Sequence, residues 1–139
     1  ARRMCMPEIP EALFCQVIRT LVDLDRAWIP PGEGSSLYIR PFMFATDEFI
    51  GVRPSHNYRF VIFTCPVGPY YSKAVSLIAE DTFVRATPGG VGEAKTSGNY
   101  AASLFPAQRA IEKGYDQVMW MDPYEFKYIH KLNNQKQAK

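Results

Sequence analysis

Residues 88–100 read PGGVGEAKTSGNY and contain four of the nine glycines of the chain. These glycines surround a single lysine, Lys95, and Tyr100 follows five positions later. Glycine loses more conformational entropy on folding than any other residue, so a cluster is typical of backbone that turns sharply or lies close to another group. This composition is compatible with a flexible surface loop, a phosphate-binding loop, or a loop that presents a reactive lysine.

A phosphate-binding loop has the pattern GxxxxGK[ST] and lies between a strand and a helix. From Gly89 the chain reads GGVGEAKT, in which Ala94 stands where the pattern has its second glycine. The helix of that motif begins at the Lys-Thr pair, whereas here Asn99 is the better N-cap and predicts a helix that starts after it. A P-loop-like nucleotide binder is therefore the weakest interpretation.

A lysine that forms a Schiff base with a carbonyl compound makes different demands on its loop. Burial lowers the pKa of such an amine, and mainly backbone approaches it. A nearby phenol such as that of Tyr100 can hydrogen-bond an oxygen of the cofactor. Lys95 in its glycine frame fits this chemistry.

Three separated motifs carry a resemblance to a known family. They are the glycine-rich stretch with the AASLF and GYDQVMWMD that follow it, the earlier SLYIRP, and CPVGPYY. In this order they resemble the branched-chain amino acid aminotransferases, which are pyridoxal-phosphate enzymes of class IV, or fold type IV. The resemblance runs from Arg3 to Ile129 and covers a minority of the family's length, so we expect an internal fragment.

The resemblance implies an α+β, two-lobed fold-type-IV aminotransferase, of which this chain is the end of the small lobe and the start of the large lobe. The expected parts are a partial small α/β domain over 1–67, an interdomain connector over 68–77, the start of the large cofactor-binding domain over 78–129, and a polar tail over 130–139. Periodicity predicts helices over 10–28 and 99–113, and strands over 35–44, 58–65, 75–85 and 117–121. The first helix has an apolar stripe, and the strand over 58–65 is expected to be buried on both faces.

The resemblance also assigns residues around the cofactor. Lys95 would hold pyridoxal 5'-phosphate, Tyr100 would hydrogen-bond its phenolate oxygen, and Arg85 matches a family arginine near the cofactor. For Arg85 a purely structural ion pair with Glu80 or Asp81 is an open alternative.

Substrate-binding residues are implied in the first half of the chain. Tyr38 and Arg40 match the pocket residues of the family's Tyr-Ile-Arg motif, and the planar guanidinium of an arginine can bind a carboxylate through two hydrogen bonds. Tyr70 would lie over the pocket as a gate, with simple packing as the alternative. Ile50 and Val52 match a loop that reaches the partner subunit's active site, although they could instead pack on their own core.

The implied reaction transfers an amino group between leucine, isoleucine or valine and 2-oxoglutarate through a Schiff base on Lys95, in a homodimer. The end of the chain departs from the family pattern. After Ile129 the family has an acidic residue that keeps the pyridine nitrogen protonated, whereas this chain reads HKLNNQKQAK. A catalytically incomplete aminotransferase remnant therefore stays open as an alternative.

Composition limits the remaining classes of function. With 139 residues, 47% hydrophobic and 22% charged, the chain is ordinary for a soluble globular domain. A net charge of +2 gives no reason to expect nucleic acid, and no apolar run is long enough for a membrane. Three cysteines at irregular spacing indicate reduced thiols in the cytoplasm, or small buried apolar groups; a mitochondrial location is also compatible, because the N-terminus looks incomplete. His56 and His130 lack metal-ligand company, so no metal is expected.

Overall fold

The computed structural model describes residues 1–69 and 74–132. Its helices and strands, in chain order, are α1 (Glu11–Leu24), β1 (Ser36–Ala45), β2 (Tyr58–Val67), β3 (Leu77–Glu80), α2 (Ser97–Glu112), β4 (Gln117–Met121) and β5 (Ile129–Leu132). The chain divides into two compact units, Ala1–Ser72 and Lys73–Lys139. Two helices with two separate sheets confirm the α+β class.

Helix α1 packs on β2 in the first unit. It begins after Pro10, its N-cap, and ends at Leu24, four residues short of the predicted end. Phe14 lies against Phe60 of β2, with ring centres 6.2 Å apart. The half-buried apolar residues of the helix are Phe14, Ile18, Leu21 and Val22. The stripe expected from periodicity is instead largely exposed, at Leu13, Val17, Leu24 and Trp28. Leu21 is the one residue of the expected stripe that is half-buried, and the position of β2 decides which face of the helix packs.

Strands β1 and β2 form a two-stranded antiparallel ribbon in which Ser36 lies opposite Val67. Pro41 is tolerated in the middle of β1 because each strand of a ribbon has a free edge, where no ladder hydrogen bond is lost. The prediction that β2 is buried on both faces is wrong, since the Phe63 side chain is exposed. A single helix covers only one face of the ribbon.

The second unit is a three-stranded sheet with the order β3-β4-β5. Strands β3 and β4 are parallel and are connected through α2, whereas β4 and β5 are antiparallel. The core consists of Ala110, Val118 and Trp120, against which Ile78 and Phe83 pack. The Trp120 side chain is completely buried, which fixes α2 on the sheet.

Strand β3 and helix α2 have boundaries that differ from the sequence prediction; β3 begins at Leu77 rather than at residue 75. Strand β3 ends at Glu80 rather than at residue 85, because the buried Glu80 carboxylate accepts the backbone N–H groups of Thr82 and Phe83 at 3.0 and 3.1 Å and turns the chain. Helix α2 begins at Ser97 with Thr96 as its N-cap. The prediction of Asn99 as the N-cap is therefore wrong.

The remainder of α2 and the end of the chain complete the sheet. Pro106 lies buried within α2 without ending it, and Gly114, with φ +82°, follows the helix in the left-handed conformation that ends many helices. After β4, both carboxylate oxygens of Asp122 accept backbone N–H groups of the turn leading to β5. The predicted polar tail from residue 130 thus includes part of β5, and residues 133–139 lie outside the described residues.

Candidate functional site

Lys95 and Tyr100 are in direct contact in the second unit. The Lys95 side-chain nitrogen, Nζ, donates a hydrogen bond of 2.7 Å to the Tyr100 hydroxyl oxygen, and it lies 4.7 Å from the centre of the ring. The nitrogen therefore makes a hydrogen bond to the hydroxyl and also lies within cation–π distance of the ring. Both side chains are exposed, Tyr100 by 46%. Lys95 was expected to be buried, but its side chain is exposed within the described residues.

Arg85 lies near the aromatic ring of Tyr100. Its guanidinium carbon is 5.5 Å from the centre of the Tyr100 ring. The Arg85 nitrogen Nη1 is buried and has no hydrogen-bond partner among the described residues. The alternative ion pairs are not formed in this part of the chain, since Glu80 accepts backbone N–H groups and Asp81 accepts the Thr82 hydroxyl.

The glycines of the loop have distinct reasons for their positions. Gly89 has φ +77°, which favours glycine over any residue with a side chain. A Cβ atom at Gly92 would lie 2.3 Å from the Cβ of Ala86, so only glycine allows the backbone to pass. The loop therefore passes close to Ala86 at Gly92, while residues 87–90 are exposed, and the interpretation of a flexible surface loop stays a prediction.

Asn99 holds the same loop from inside helix α2. The Asn99 side chain is 7% exposed, and its Nδ2 donates hydrogen bonds of 2.8 Å to the carbonyl oxygens of Val91 and Ala94. Sequence reasoning missed this role by assigning Asn99 to the N-cap. A buried amide two to three residues into a helix, beside a glycine-rich loop, is the signal that could have indicated it.

The phosphate-loop interpretation gains one feature and loses another. Helix α2 does begin directly after the Lys95–Thr96 pair, as that motif requires. Strand β3, however, ends at Glu80, well before Gly89, so the loop does not follow directly from a strand. The glycine-rich stretch thus lacks the strand–loop–helix continuity on which phosphate cradling depends.

Tyr38 and Arg40 lie side by side on the exposed face of β1 in the first unit. Arg40 Nε donates a hydrogen bond of 3.2 Å to the Tyr38 hydroxyl, and the guanidinium carbon lies 5.2 Å from the centre of the Tyr38 ring. On the other side, the same carbon lies 5.9 Å from the ring centre of Phe63, which pairs with Arg40 across the ribbon. Phe63 was missed from the sequence, because cross-strand register is needed to find it.

The loop between β1 and β2 is organised by one carboxylate. Asp47 Oδ2 accepts hydrogen bonds from Arg53 Nη1 at 2.9 Å and from the backbone of His56 at 2.8 Å. Asp47 Oδ1 accepts from the backbone and side chain of Asn57 at 3.0 and 2.9 Å. The N–H of His56, followed by the Asn57 amide, holds the pKa of the Asp47 carboxyl far below its usual range.

Ile50 and Val52 lie at the tip of this loop and are fully exposed. The alternative that they pack on their own core is therefore wrong for the described residues. Next to them, the Arg53 guanidinium carbon lies 4.1 Å from the ring centre of Phe49. The result is a firmly tied loop with two uncovered aliphatic side chains.

The residues assigned from the sequence thus form separate groups. Lys95, Tyr100 and Arg85 lie together in Lys73–Lys139, whereas Tyr38 and Arg40 form a pair, and Ile50 and Val52 a tip, in Ala1–Ser72. Tyr70, the proposed gate, lies outside the described residues.

Other features of the chain were also expected from composition. All three cysteines are free thiols and exposed, so the alternative of small buried apolar groups is wrong. Within residues 1–69 and 74–132, no three His, Cys, Asp or Glu side chains are grouped to hold a metal ion. None of the helices over these ranges is both long and apolar enough to cross a membrane.

Comparison with known proteins supplies relatives that match almost the whole chain. The chain is 49% identical over 135 residues to the protein named branched-chain-amino-acid aminotransferase 2 of Bacillus subtilis. It is 48% identical to a probable branched-chain-amino-acid aminotransferase of Staphylococcus epidermidis and 46% identical to a branched-chain-amino-acid aminotransferase of Mycolicibacterium smegmatis, each over 136 residues. No protein-family model matches the chain.

The matches cover nearly all of this chain but only a part of each relative. Each covers 95% of this chain but only 37 to 38% of the relative. An alignment of this length extends over both units and far beyond the glycine-rich loop. The chain is therefore homologous, along nearly its whole length, to a part of the branched-chain-amino-acid aminotransferases.

Proposed function

We propose that the chain carries part of the site of a branched-chain amino acid aminotransferase, which transfers an amino group between leucine, isoleucine or valine and 2-oxoglutarate with pyridoxal 5'-phosphate as cofactor. In this proposal the unit Ala1–Ser72 comes from the small lobe and Lys73–Lys139 from the large, cofactor-binding lobe of a fold-type-IV enzyme. The observation that carries the proposal is the hydrogen bond between Lys95 and Tyr100 in the folded glycine loop.

The residues present are suited to an anionic aldehyde cofactor. A buried N–H donor without an acceptor costs free energy, about 1–3 kcal/mol for a group left unsatisfied. The buried Nη1 of Arg85 is such a donor among the described residues, and an anionic oxygen of the cofactor would satisfy it. Lys95 supplies a primary amine on the opposite part of the same tyrosine. An amine and an unsatisfied guanidinium around one phenol fit pyridoxal phosphate.

Each of these side chains has a distinct task in the proposed reaction. When bound, pyridoxal phosphate supplies the aldehyde carbon and the electron-withdrawing ring that make the substrate's α-proton acidic. Lys95 Nζ would hold the cofactor and, as a free amine, would move the proton at the α-carbon of the substrate. The Tyr100 hydroxyl orients that nitrogen, and Arg85 balances negative charge on the cofactor.

The exposed face of β1 is proposed to bind the substrate carboxylate. Arg40 offers two parallel N–H donors, and the rings of Tyr38 and Phe63 limit the orientations of its guanidinium. Such a planar donor pair suits the carboxylate that amino acids and 2-oxo acids share. Ile50 and Val52, at the tip of the Asp47 loop, would line the side-chain pocket of a partner subunit in a homodimer, because both are uncovered here.

The Lys95 side chain is exposed, so the described residues do not shield the reacting amine from water. Within the described residues nothing excludes water from the amine, and the relatives are much longer than this chain. We propose that further segments of a longer protein, and its dimer partner, cover the site. This same exposure supports the second candidate, a catalytically incomplete aminotransferase remnant. A cytoplasmic location stays a prediction from composition.

The direct test is transfer of a labelled amino group. The chain is incubated with pyridoxal phosphate, ¹⁵N-leucine and 2-oxoglutarate, and ¹⁵N-glutamate is followed by mass spectrometry. We expect transfer that is lost in Lys95→Ala and retained in Lys113→Ala, a control lysine just after helix α2. A protein that binds the cofactor but transfers no label supports the remnant. Stabilisation by a nucleotide, abolished by Lys95→Ala, would instead support the P-loop-like alternative.

A further inference from the structure

We infer that Asn99 is the positioning residue for Lys95. The inference rests on the proposed function, in which Lys95 is the reacting amine. The two hydrogen bonds from Asn99 Nδ2, each 2.8 Å long, join helix α2 to the carbonyl oxygens of Val91 and Ala94. These two carbonyls bracket a turn that is itself closed by the Ala94 N–H to Val91 O hydrogen bond of 3.0 Å.

The position of Ala94 gives the amide its effect on Lys95. The carbonyl of Ala94 and the backbone nitrogen and Cα of Lys95 belong to one planar peptide unit. Fixing the carbonyl therefore fixes the Cα atom from which the Lys95 side chain extends. The far end of the side chain is bound to the Tyr100 hydroxyl. The consecutive residues Asn99 and Tyr100 therefore hold the base and the tip of Lys95.

The chemistry of the contact requires an amide at position 99. Two carbonyl oxygens converge on Nδ2: that of Ala94, and that of Val91, which also accepts the Ala94 N–H. Asparagine offers two N–H donors from one nitrogen, whereas an ionised aspartate of nearly the same shape offers none. Asparagine is also among the weaker helix formers, so its place inside α2 reflects this contact rather than helix propensity.

Helix α2 is a firm base for this contact. Pro106 and Ala110 of the helix are buried, and Ala110 packs on Val118 and Trp120 of β4. Packing on the sheet holds α2 in place, and Asn99 of α2 in turn holds the loop through its two hydrogen bonds. A lysine on an untethered loop would sample many orientations, whereas a reacting amine needs one.

The first test measures the order of the loop by hydrogen exchange on the full chain. Asn99→Ala removes both hydrogen bonds, and Gln108→Ala is the matched control, because it removes an exposed amide of the same helix that bonds Glu112 at 3.1 Å. We expect the amides of residues 90–95 to exchange faster by on the order of tenfold in Asn99→Ala, with β4 unchanged. Equal loop exchange in the two variants would overturn the inference.

The second test detects the orientation of Lys95 itself. Because Lys95 Nζ bonds the Tyr100 hydroxyl and lies 4.7 Å from its ring centre, we expect the ¹³Cε signal of Lys95 to differ from that of Lys113. We expect this signal to move towards that of Lys113 in Asn99→Ala and to stay in place in Gln108→Ala. A residue that only stabilised the fold would lower the melting temperature without moving the signal in the folded protein, and that result would contradict a positioning role.

A measurement on the unmodified chain covers the case in which Asn99→Ala does not fold. The side-chain NH₂ protons of Asn99 should exchange with water at least about tenfold more slowly than those of the exposed Gln108, because they are buried and bonded twice. Equal rates would overturn the inference. None of these readouts uses cofactor or substrate. If the chain transfers no ¹⁵N label but gives the expected exchange and NMR results, the proposed function is wrong. The inference that Asn99 positions Lys95 then still holds.

Discussion

The side-chain nitrogen of Lys95 lies 2.7 Å from the hydroxyl oxygen of Tyr100, although five positions separate the two residues and neither is buried. Lys95 precedes helix α2 and Tyr100 lies in its first turn, so the start of the helix brings them together. The pair is therefore a product of local backbone geometry, and it does not depend on a distant segment of the chain.

Tyr100→Phe tests this pair. The variant keeps the ring beneath Arg85 and loses only the oxygen that accepts from Lys95. We expect the rate at which pyridoxal phosphate reacts with Lys95 to fall by about tenfold, because the amine loses its fixed orientation. The free energy of unfolding should change by no more than about 1 kcal/mol, since the bond is exposed. Rapid borohydride quenching measures the rate, and Tyr115→Phe is the control; an unchanged rate would show that the hydroxyl does not orient Lys95.

Substitution by alanine should change the free energy of unfolding in opposite directions at two glycines of the stretch 88–100, Gly92 and Gly98. A Cβ at Gly92 would meet Ala86 Cβ at 2.3 Å, whereas one at Gly98, inside α2, would have nothing within 4 Å. We expect Gly92→Ala to lower the free energy of unfolding by about 1–3 kcal/mol. Gly98→Ala should raise it by about 0.4–1 kcal/mol, through the smaller entropy of the unfolded chain. Urea denaturation measures both, and similar values for the two variants would mean that the loop does not pass close to Ala86.

Asp47 should make the stability of the β1–β2 loop depend on pH. Hydrogen bonds from His56 N–H and the Asn57 side chain hold its pKa well below the value it has in an unfolded chain. Its contribution to stability is therefore present above the unfolded pKa of about 4 and is lost as the pH falls towards the folded pKa. We expect Asp47→Asn to lower the melting temperature at pH 7, with a difference from the wild type that narrows as the pH falls. Glu48→Gln, which removes the neighbouring exposed carboxylate, is the control; a difference that does not depend on pH would contradict this account.

Phe63 should assist Arg40 in carboxylate binding if the proposed substrate site is correct. A ring 5.9 Å from the guanidinium carbon contributes about 0.5–1 kcal/mol at an exposed site. We therefore expect Phe63→Leu to weaken binding of 2-oxoglutarate by roughly two- to fivefold, measured by NMR titration of the Arg40 Nε–H signal. Phe44→Leu removes a similarly exposed ring that stacks on Phe42, and it should leave the titration unchanged. Equal weakening in both variants would assign the effect to the ribbon as a whole.

Sequence patterns predicted those features of the fold that depend on neighbouring residues. A strand was predicted over 35–44, where Leu37 and Ile39 alternate with Tyr38 and Arg40, and the first pair is half-buried while the second is exposed. Tyr100 was expected near Lys95, and its hydroxyl accepts a hydrogen bond from Lys95 Nζ. The buried face of α1 depended instead on β2, which lies more than thirty residues later in the chain.

Side-chain hydrogen bonds to backbone were the main source of error. Glu80 ends β3 early by accepting two N–H groups, and Asn99 points back to the loop instead of capping the helix. Neither bond leaves a periodic signal, because each depends on a local turn that only coordinates reveal. The exposure of Lys95 could not be foreseen from the loop sequence either, since burial depends on residues distant in the chain.

The central claim, that Lys95 is the amine which captures the cofactor, is tested most directly by locating the trapped adduct. The chain is mixed with pyridoxal phosphate, reduced with borohydride, digested, and mapped by tandem mass spectrometry. We expect the mass of the phosphopyridoxyl group on Lys95 in preference to Lys113 and Lys127. The substitution Lys95→Arg should remove this adduct. Equal labelling of Lys95, Lys113 and Lys127 would contradict the proposal that Lys95 captures the cofactor.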